Sequence, residues 1–353
     1  MKTKFITTIL VALLGFGINA QAQKIFVCQV KSLDSDLWGY VNQKGEFIIK
    51  PQFEKCFEFS SDGLAPVLNT KTKQYYFINL KGEKLATEIT EFELQNILGF
   101  DVKGYNCGLV AVRQGKKWGF LNTEGKLAIP IKYDDVTEFI DGYSVATIEK
   151  KNFVLNTKGE EFAIDEKDVA DVKHFTEELA PYKSTNNLFG FIGKDGKIAI
   201  QAQFESVGYF SDGLAWAKTK DGILGYINPK GEWIIKPQFT FGKNFDAQSG
   251  LARIKIGDKF AYVNKTGEIL YVNDTEDWGN FSNGLADGKK NKKIGFFNNK
   301  GQWIIQPQFD AVREFKNGYA AVKKDDKWGA IDMEGNWIIQ PTFSSFKDFE
   351  LVQ

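Results

Sequence analysis

The sequence predicts an all-β protein: a tandem array of about nine units, each of three antiparallel strands, in an open or curved solenoid, with a closed propeller-like ring as the alternative. Three observations predict it. The tetrad Asn-x-x-Gly, or a close variant, recurs at spacings of 34 to 43 residues along nearly the whole chain. Each tetrad is followed by an apolar run, which in the clearest units ends in Pro-x-Phe. No long segment keeps the 3.6-residue period of an amphipathic helix, so the repeat unit is built from strands.

The turn comes first. Its glycine falls at Gly45, Gly82, Gly125, Gly159, Gly196, Gly231, Gly267, Gly301 and Gly335, while its neighbours vary. The leading Asn can accept backbone N–H groups, and Pro229 in the second position of one copy has the fixed φ of a type I turn. A type I turn closed by a left-handed glycine makes a hairpin with a bulge. A side chain in that conformation costs roughly 1–2 kcal/mol, which explains the constant glycine.

Strands flank the turn. Before it stands an aromatic or aliphatic residue and usually Gly, as in Trp38-Gly39, Trp118-Gly119 and Trp328-Gly329, followed by apolar residues. After it come runs such as Ile48 to Phe53 and Ile338 to Phe343. A connector then carries a further Phe (Phe59, Phe139, Phe175, Phe210, Phe245, Phe281 or Phe315). Gly-Leu-Ala or a relative opens the third strand.

Read together, Trp118-Gly119-Phe120-Leu121-Asn122 and Trp38-Gly39-Tyr40-Val41-Asn42, with their flanks, resemble the WG (or KWG) repeat family of bacterial proteins. Copies two, four and seven depart from the signature, with Tyr75-Tyr76, Asn152-Phe153 and Phe260-Ala261. The resemblance covers roughly residues 24–353. It implies interaction or structural modules and carries over no catalytic residue. One unit of this size cannot bury its own apolar face, so neighbours must share a core. The stretch Lys24 to Lys31 looks like a third strand, and the last copy stops at Phe349 to Gln353 without one. The chain opens with the piece its end lacks, as ring closure would need; an open array with shifted boundaries reads the same way.

Residues 1–22 are set apart. Lys2 and Lys4 precede the apolar stretch Phe5 to Ile18, and Ala20-Gln21-Ala22 offers small residues for a signal peptidase. The expectation is a secretory signal peptide cleaved after Ala22 and a single repeat array over 23–353, periplasmic, cell-surface or secreted, with no membrane span after cleavage. Lys plus Arg and Asp plus Glu both number 45 and are mixed along the chain, which argues against nucleic acid. Cys28, Cys56 and Cys107 form no CxxC pair and read as small buried hydrophobes.

Little points to catalysis. The single histidine, His174, occupies a connector slot held by Glu138, Tyr209, Asn244 and Glu314 in other copies. No GxSxG, HExxH or phosphate loop appears, and no cofactor or metal ligand set is expected. The signature slot accepts Leu224 and Ile294 as well as Trp, so packing is its expected role, and Trp328→Ala is expected to cost on the order of 3 kcal/mol. Trp233, Trp303 and Trp337, at the slot of Phe47, Leu127, Phe162, Ile198 and Ile269, also read as packing residues. Trp216 stands alone in a third strand and is the candidate surface contact. The expected protein is a non-enzymatic scaffold that meets a protein or other macromolecule. The alternative is a glycan or envelope-polymer binder with rows of exposed aromatics.

Overall fold

The computed structural model describes residues 24–97, 101–164 and 167–352. The expected signal segment lies outside them. Among the described residues there are strands, turns and no helix. All nine turn glycines have positive φ, from 73° at Gly301 to 88° at Gly267. In the first turn Gly45 N donates to Asn42 O at 3.0 Å, and Asn42 Oδ1 accepts from Lys44 N and Glu46 N. The side chain thus replaces a backbone partner and fixes the hairpin.

The glycine of the Trp-Gly pair has a separate cause. Trp38 pairs with Phe53 and Tyr40 with Ile49, so two steps on one strand face four on the other. The facing strand bulges toward Gly39, where a Cβ would lie 2.6 Å from Ile49 O and 2.7 Å from Pro51 N. Gly119 and Gly329 meet the same obstacle from Ile129 and Ile339. Pro51 lies on an edge strand, where its missing N–H deprives the ladder of nothing.

The expectation of three strands per unit is corrected. Six sheets have four strands. Leu127–Tyr133, for example, bends at Asp134 and continues as Asp135–Val136, which pairs with Tyr143–Ile148 of the next unit. A two-residue strand is too short to show alternation in the sequence. Its effect is that each bent strand belongs to two sheets and carries the chain between them. Two further two-stranded sheets fall in the second unit, which includes the short pair Asn96–Ile97 and Asp101–Val102.

The two ends of the described chain meet. The first strand, Ile25–Ser32, pairs antiparallel with the last, Trp337–Val352, from Ile25 opposite Val352 to Ser32 opposite Phe343. This joins the first and last units in one seven-stranded sheet. A Cβ on Gly45 would lie 3.3 Å from Ile339 of the last unit; a Cβ on Gly82 would lie 3.6 Å from Ile49, and on Gly335 3.0 Å from Ile305. Each of these turns rests on the unit before it, and for the first turn that is the last unit.

The core is shared between neighbours. One cluster joins Tyr226, Ile235 and Phe239 to Phe245, Ile254 and Val263 of the following unit. At the meeting of the ends, Cys28, Val30 and Val41 pack with Ile339, Phe343 and Phe349. The connector phenylalanines anchor these clusters: Phe139 stands edge-on to Phe120 at 4.8 Å, Phe210 to Phe191 at 4.8 Å and Phe315 to Phe296 at 4.7 Å. Such pairs add about 0.5–1.5 kcal/mol beyond area burial.

Candidate binding clefts on the connector face

The connector Phe points into the core, so the residue before it points elsewhere. Across the units that residue is Glu58, Gly104, Glu138, His174, Tyr209, Asn244, Asn280, Glu314 and Asp348. The structure brings successive members of this series together. Lys103, beside Gly104, pairs with Glu138 at 3.4 Å. His174 stacks on Tyr209 with centroids 4.0 Å apart, and its Nδ1 lies 3.1 Å from the Tyr209 hydroxyl. Asn280 Nδ2 donates to Glu314 at 3.0 Å, and Arg313 holds Asp348 through two hydrogen bonds. Sequence reading found the slot but not the convergence, which depends on how the units stack.

A second relay was missed. Residues just before Gly-Leu-Ala adopt positive φ, as at Asp141 (52°) and Gly142 (82°), the signature of a tight two-residue turn. Their side chains serve the next unit: Asp62 accepts from Gly108 N, Asp141 from Glu177 N, Glu177 from Asp212 N and Gly213 N, and Asn283 from Gly318 N. The recurring acid or amide before that glycine was the available signal.

Three clefts with a tryptophan in their lining open along these connectors. One of about 550 Å³ is bordered by Trp38, Glu58, Lys103, Tyr105 and Lys347. One of about 630 Å³ lies between Tyr75, Arg113, Trp118, Glu138 and His174. A third of about 630 Å³ is lined by Tyr209, Trp216, Phe241, Asn244, Asn280 and Glu314. The charged groups are largely paired. Burial, with Lys103 and Lys173 nearby, holds His174 below the ordinary imidazole value, so it is neutral at pH 7. Burial and Glu314 push Asp287 up to about 6, and burial, reinforced by Glu58, lifts Glu350 to about 7 despite Lys316. Neither carboxyl borders the three clefts. Burial pushes the Cys56 thiol up to about 12 and Cys28 well above its usual value; all three cysteines are free. Among the described residues no group of three or more His, Cys, Asp or Glu is placed to hold a metal ion, and no helix is long and apolar enough to cross a membrane.

The tryptophans divide differently from expectation. Trp118 is buried, with 9% exposure, whereas Trp38, Trp328, Trp233, Trp303 and Trp337 are half-buried. Trp233 and Trp337 pack edge-on against Phe204 and Phe309 of the preceding unit. Phe47 and Phe162 of the same slot are more than a third exposed. This slot caps the joints and keeps one side in solvent. Trp216 is half-buried and borders the third cleft.

A strand-built chain of small recurring antiparallel sheets, with variable residues gathered on one face, defines a repeat-built protein of propeller-like β fold. The chain belongs to the WG containing repeat family, whose pattern matches residues 38–70, 118–151, 189–222, 225–260, 294–328 and 328–350, more than half of the sequence. No match was found among curated proteins. Among solved structures, a eukaryotic initiation factor is similar over 94% of this chain and 98% of its own, with 14% identity and a TM-score of 0.57. AztD from Citrobacter koseri (93% and 97% covered, 10% identity, TM-score 0.41) and BamB from Moraxella catarrhalis (78% and 90% covered, 11% identity, TM-score 0.39) are more distant. Likeness at these identities concerns the fold alone.

Proposed function

We propose that this is an exported, non-enzymatic binding or scaffold protein whose nine units close into a ring and offer the connector face to a protein or other macromolecule. The observation that carries the reading is the separation of constant from variable slots. Turn and Trp-Gly glycines are fixed by backbone geometry, and connector Phe residues by packing. The residues that differ between units gather around three clefts. Binding surfaces of repeat arrays accumulate contact area in this way. Export rests on the N-terminal segment, and mass spectrometry of the secreted or periplasmic product should find a mature chain beginning at Gln23.

The test compares two faces. A variant carrying Glu138→Ala, His174→Ala, Tyr209→Ala and Asn244→Ala should keep its melting temperature and lose retention on immobilised cell-envelope fractions. A control replacing the turn lysines Lys44, Lys81, Lys230 and Lys300 should retain both. The opposite pattern, or no retention by the parent chain, would overturn the reading. Glycan binding is the second reading. Rows of exposed tryptophan do not support it, since none of the eight is exposed among the described residues, but the cleft at Trp216 does.

A further inference from the structure

Trp216 breaks the repeat. Its slot, three residues after the start of Gly-Leu-Ala, holds Pro66, Ala111, Val145, Pro181, Arg253, Asp287 and Ala321 elsewhere. An indole fits only because the adjacent connector carries Gly208, where a Cβ would fall on the Trp216 ring. The corresponding position is Phe57, Lys103, Thr137, Lys173, Lys243 or Arg313 in other units, and Gly279 in one, where a Cβ would meet Asp287 in the slot of Trp216. A second glycine, Gly242, further lowers the cleft floor; a Cβ there would lie 2.7 Å from Leu224 Cδ2. Gly208 and Gly242 together make room for the indole, whereas the space over Gly279 is taken by Asp287, which has no aromatic face.

The groups around the indole limit what can lie on it. Among the described residues, Trp216 Nε1 donates to no group, and the exposed side chain of Asn244 has no hydrogen-bond partner. Glu314 is exposed and engaged on one oxygen by Asn280. Lys218 and Lys243 face Asp246 and Glu314 across the same cleft, so its formal charge balances. A cation attracted by the ring face meets two ammonium groups, and a polyanion meets two carboxylates. The complementary ligand is neutral, has one apolar face for the indole, and carries alternating donors and acceptors at its edge. A volume of about 630 Å³ lies within the range of small-ligand sites.

We propose that this cleft binds one or two pyranose rings of a neutral glycan. Trp216 stacks on the C–H face of the sugar, and Asn244, Glu314 and the indole N–H hold its hydroxyls. The inference rests on the binding reading above and names the chemical group recognised.

Isothermal titration of the mature chain with cellotriose, maltotriose and N,N′,N″-triacetylchitotriose, beside trigalacturonate and a set of neutral linear peptides, tests it. At least one neutral trisaccharide should bind and change the tryptophan fluorescence. Trp216→Ala should weaken that binding about tenfold or more, Trp216→Phe less, and Trp328→Phe not at all. Gly208→Ala, which keeps the indole but displaces it, should follow Trp216→Ala. Absence of binding by every neutral saccharide, binding indifferent to Trp216, or Trp216-dependent binding of a peptide or of trigalacturonate in place of neutral sugars would each overturn the proposal. If Trp216→Ala still adheres to envelope fractions and no saccharide binds, the glycan site fails while the scaffold reading stands. If the four-residue connector variant adheres as the parent does, the scaffold reading itself fails.

Discussion

The joint between the fifth and sixth units and the joint between the last and the first use the same packing but different connections. Internally, a Cβ on Gly231 would meet Ile200 and Trp233 stands edge-on to Phe204 at 5.6 Å. Where the ends meet, Gly45 takes the same place against Ile339, and Phe47 stands edge-on to Phe343 at 6.1 Å. The internal joint is continuous: one chain segment runs from Ile198–Phe204 into Ser206–Val207, and only two residues of the latter pair with the next sheet. At the terminal joint Trp337–Val352 likewise runs on into the neighbouring sheet, but no loop links it to the strand it meets there, and seven residue pairs bind the first strand to the last. The ion pairs Arg313–Asp348 and Lys316–Glu350 lie beside it. Strand pairing takes over where the chain does not connect.

This contrast can be broken by experiment. The largest effect should come from ending the chain after Phe343. The first strand would lose six of its seven pairs with the last, and the expected destabilisation is more than about 5 kcal/mol, comparable to the whole stability of many domains. Denaturant unfolding should then show a lowered midpoint or a second transition; an unchanged curve would mean that the terminal pairing is dispensable. Next, Trp118→Ala should cost on the order of 3 kcal/mol by opening a cavity. Trp328→Ala should cost less than the sequence alone led us to expect, because Trp328 is half-buried. Equal losses would contradict the burial difference. The comparison is sharpened by Gly45→Ala against Gly335→Ala. Both glycines have positive φ, 77° and 85°, and both press on an isoleucine of the preceding unit. Each substitution should cost about 1–2 kcal/mol. A clearly smaller cost at Gly45 than at Gly335, leaving only the backbone part, would show that the Ile339 contact is lost and the terminal joint opens in solution.

The smallest effect concerns pH. Glu350 has an ordinary value of 4.5 and is raised to about 7 in the fold, so the folded chain holds this proton more tightly than the unfolded one. Its contribution to stability is complete below pH 4.5 and is lost as pH rises through 7. Glu350→Gln should remove that slope, a change on the order of 1 kcal/mol between pH 5 and pH 8 after screening. Melting temperatures of parent and variant at the two pH values would show it, and parallel shifts would refute it.

Much of the local structure is legible in the sequence. The Asn-x-x-Gly turns announce themselves because glycine, which takes the left-handed position without steric cost, closes all nine, and Asn42 satisfies its own hairpin. The connector Phe and the strand edges follow from short-range chemistry of the same kind. What stayed hidden was relational. Asp135–Val136 is a strand only because Tyr143–Ile148 lies beside it. The meeting of Ile25 with Val352 joins residues at opposite ends of the chain, and the two matching fragments in the sequence fit either geometry. Trp216 was singled out as an anomaly, but its partner Gly208 is an ordinary glycine until the indole is seen lying over it.

The pairing of the first strand with the last also dictates an order of events. During synthesis Ile25–Ser32 emerges about 300 residues before the strand that pairs with it, Trp337–Val352. Until that strand arrives, Cys28 and Val30 lack the apolar shelter of Ile339, Phe343 and Phe349. Arrival of that distant strand, rather than completion of any single unit, is the moment at which the first and last sheets can lock.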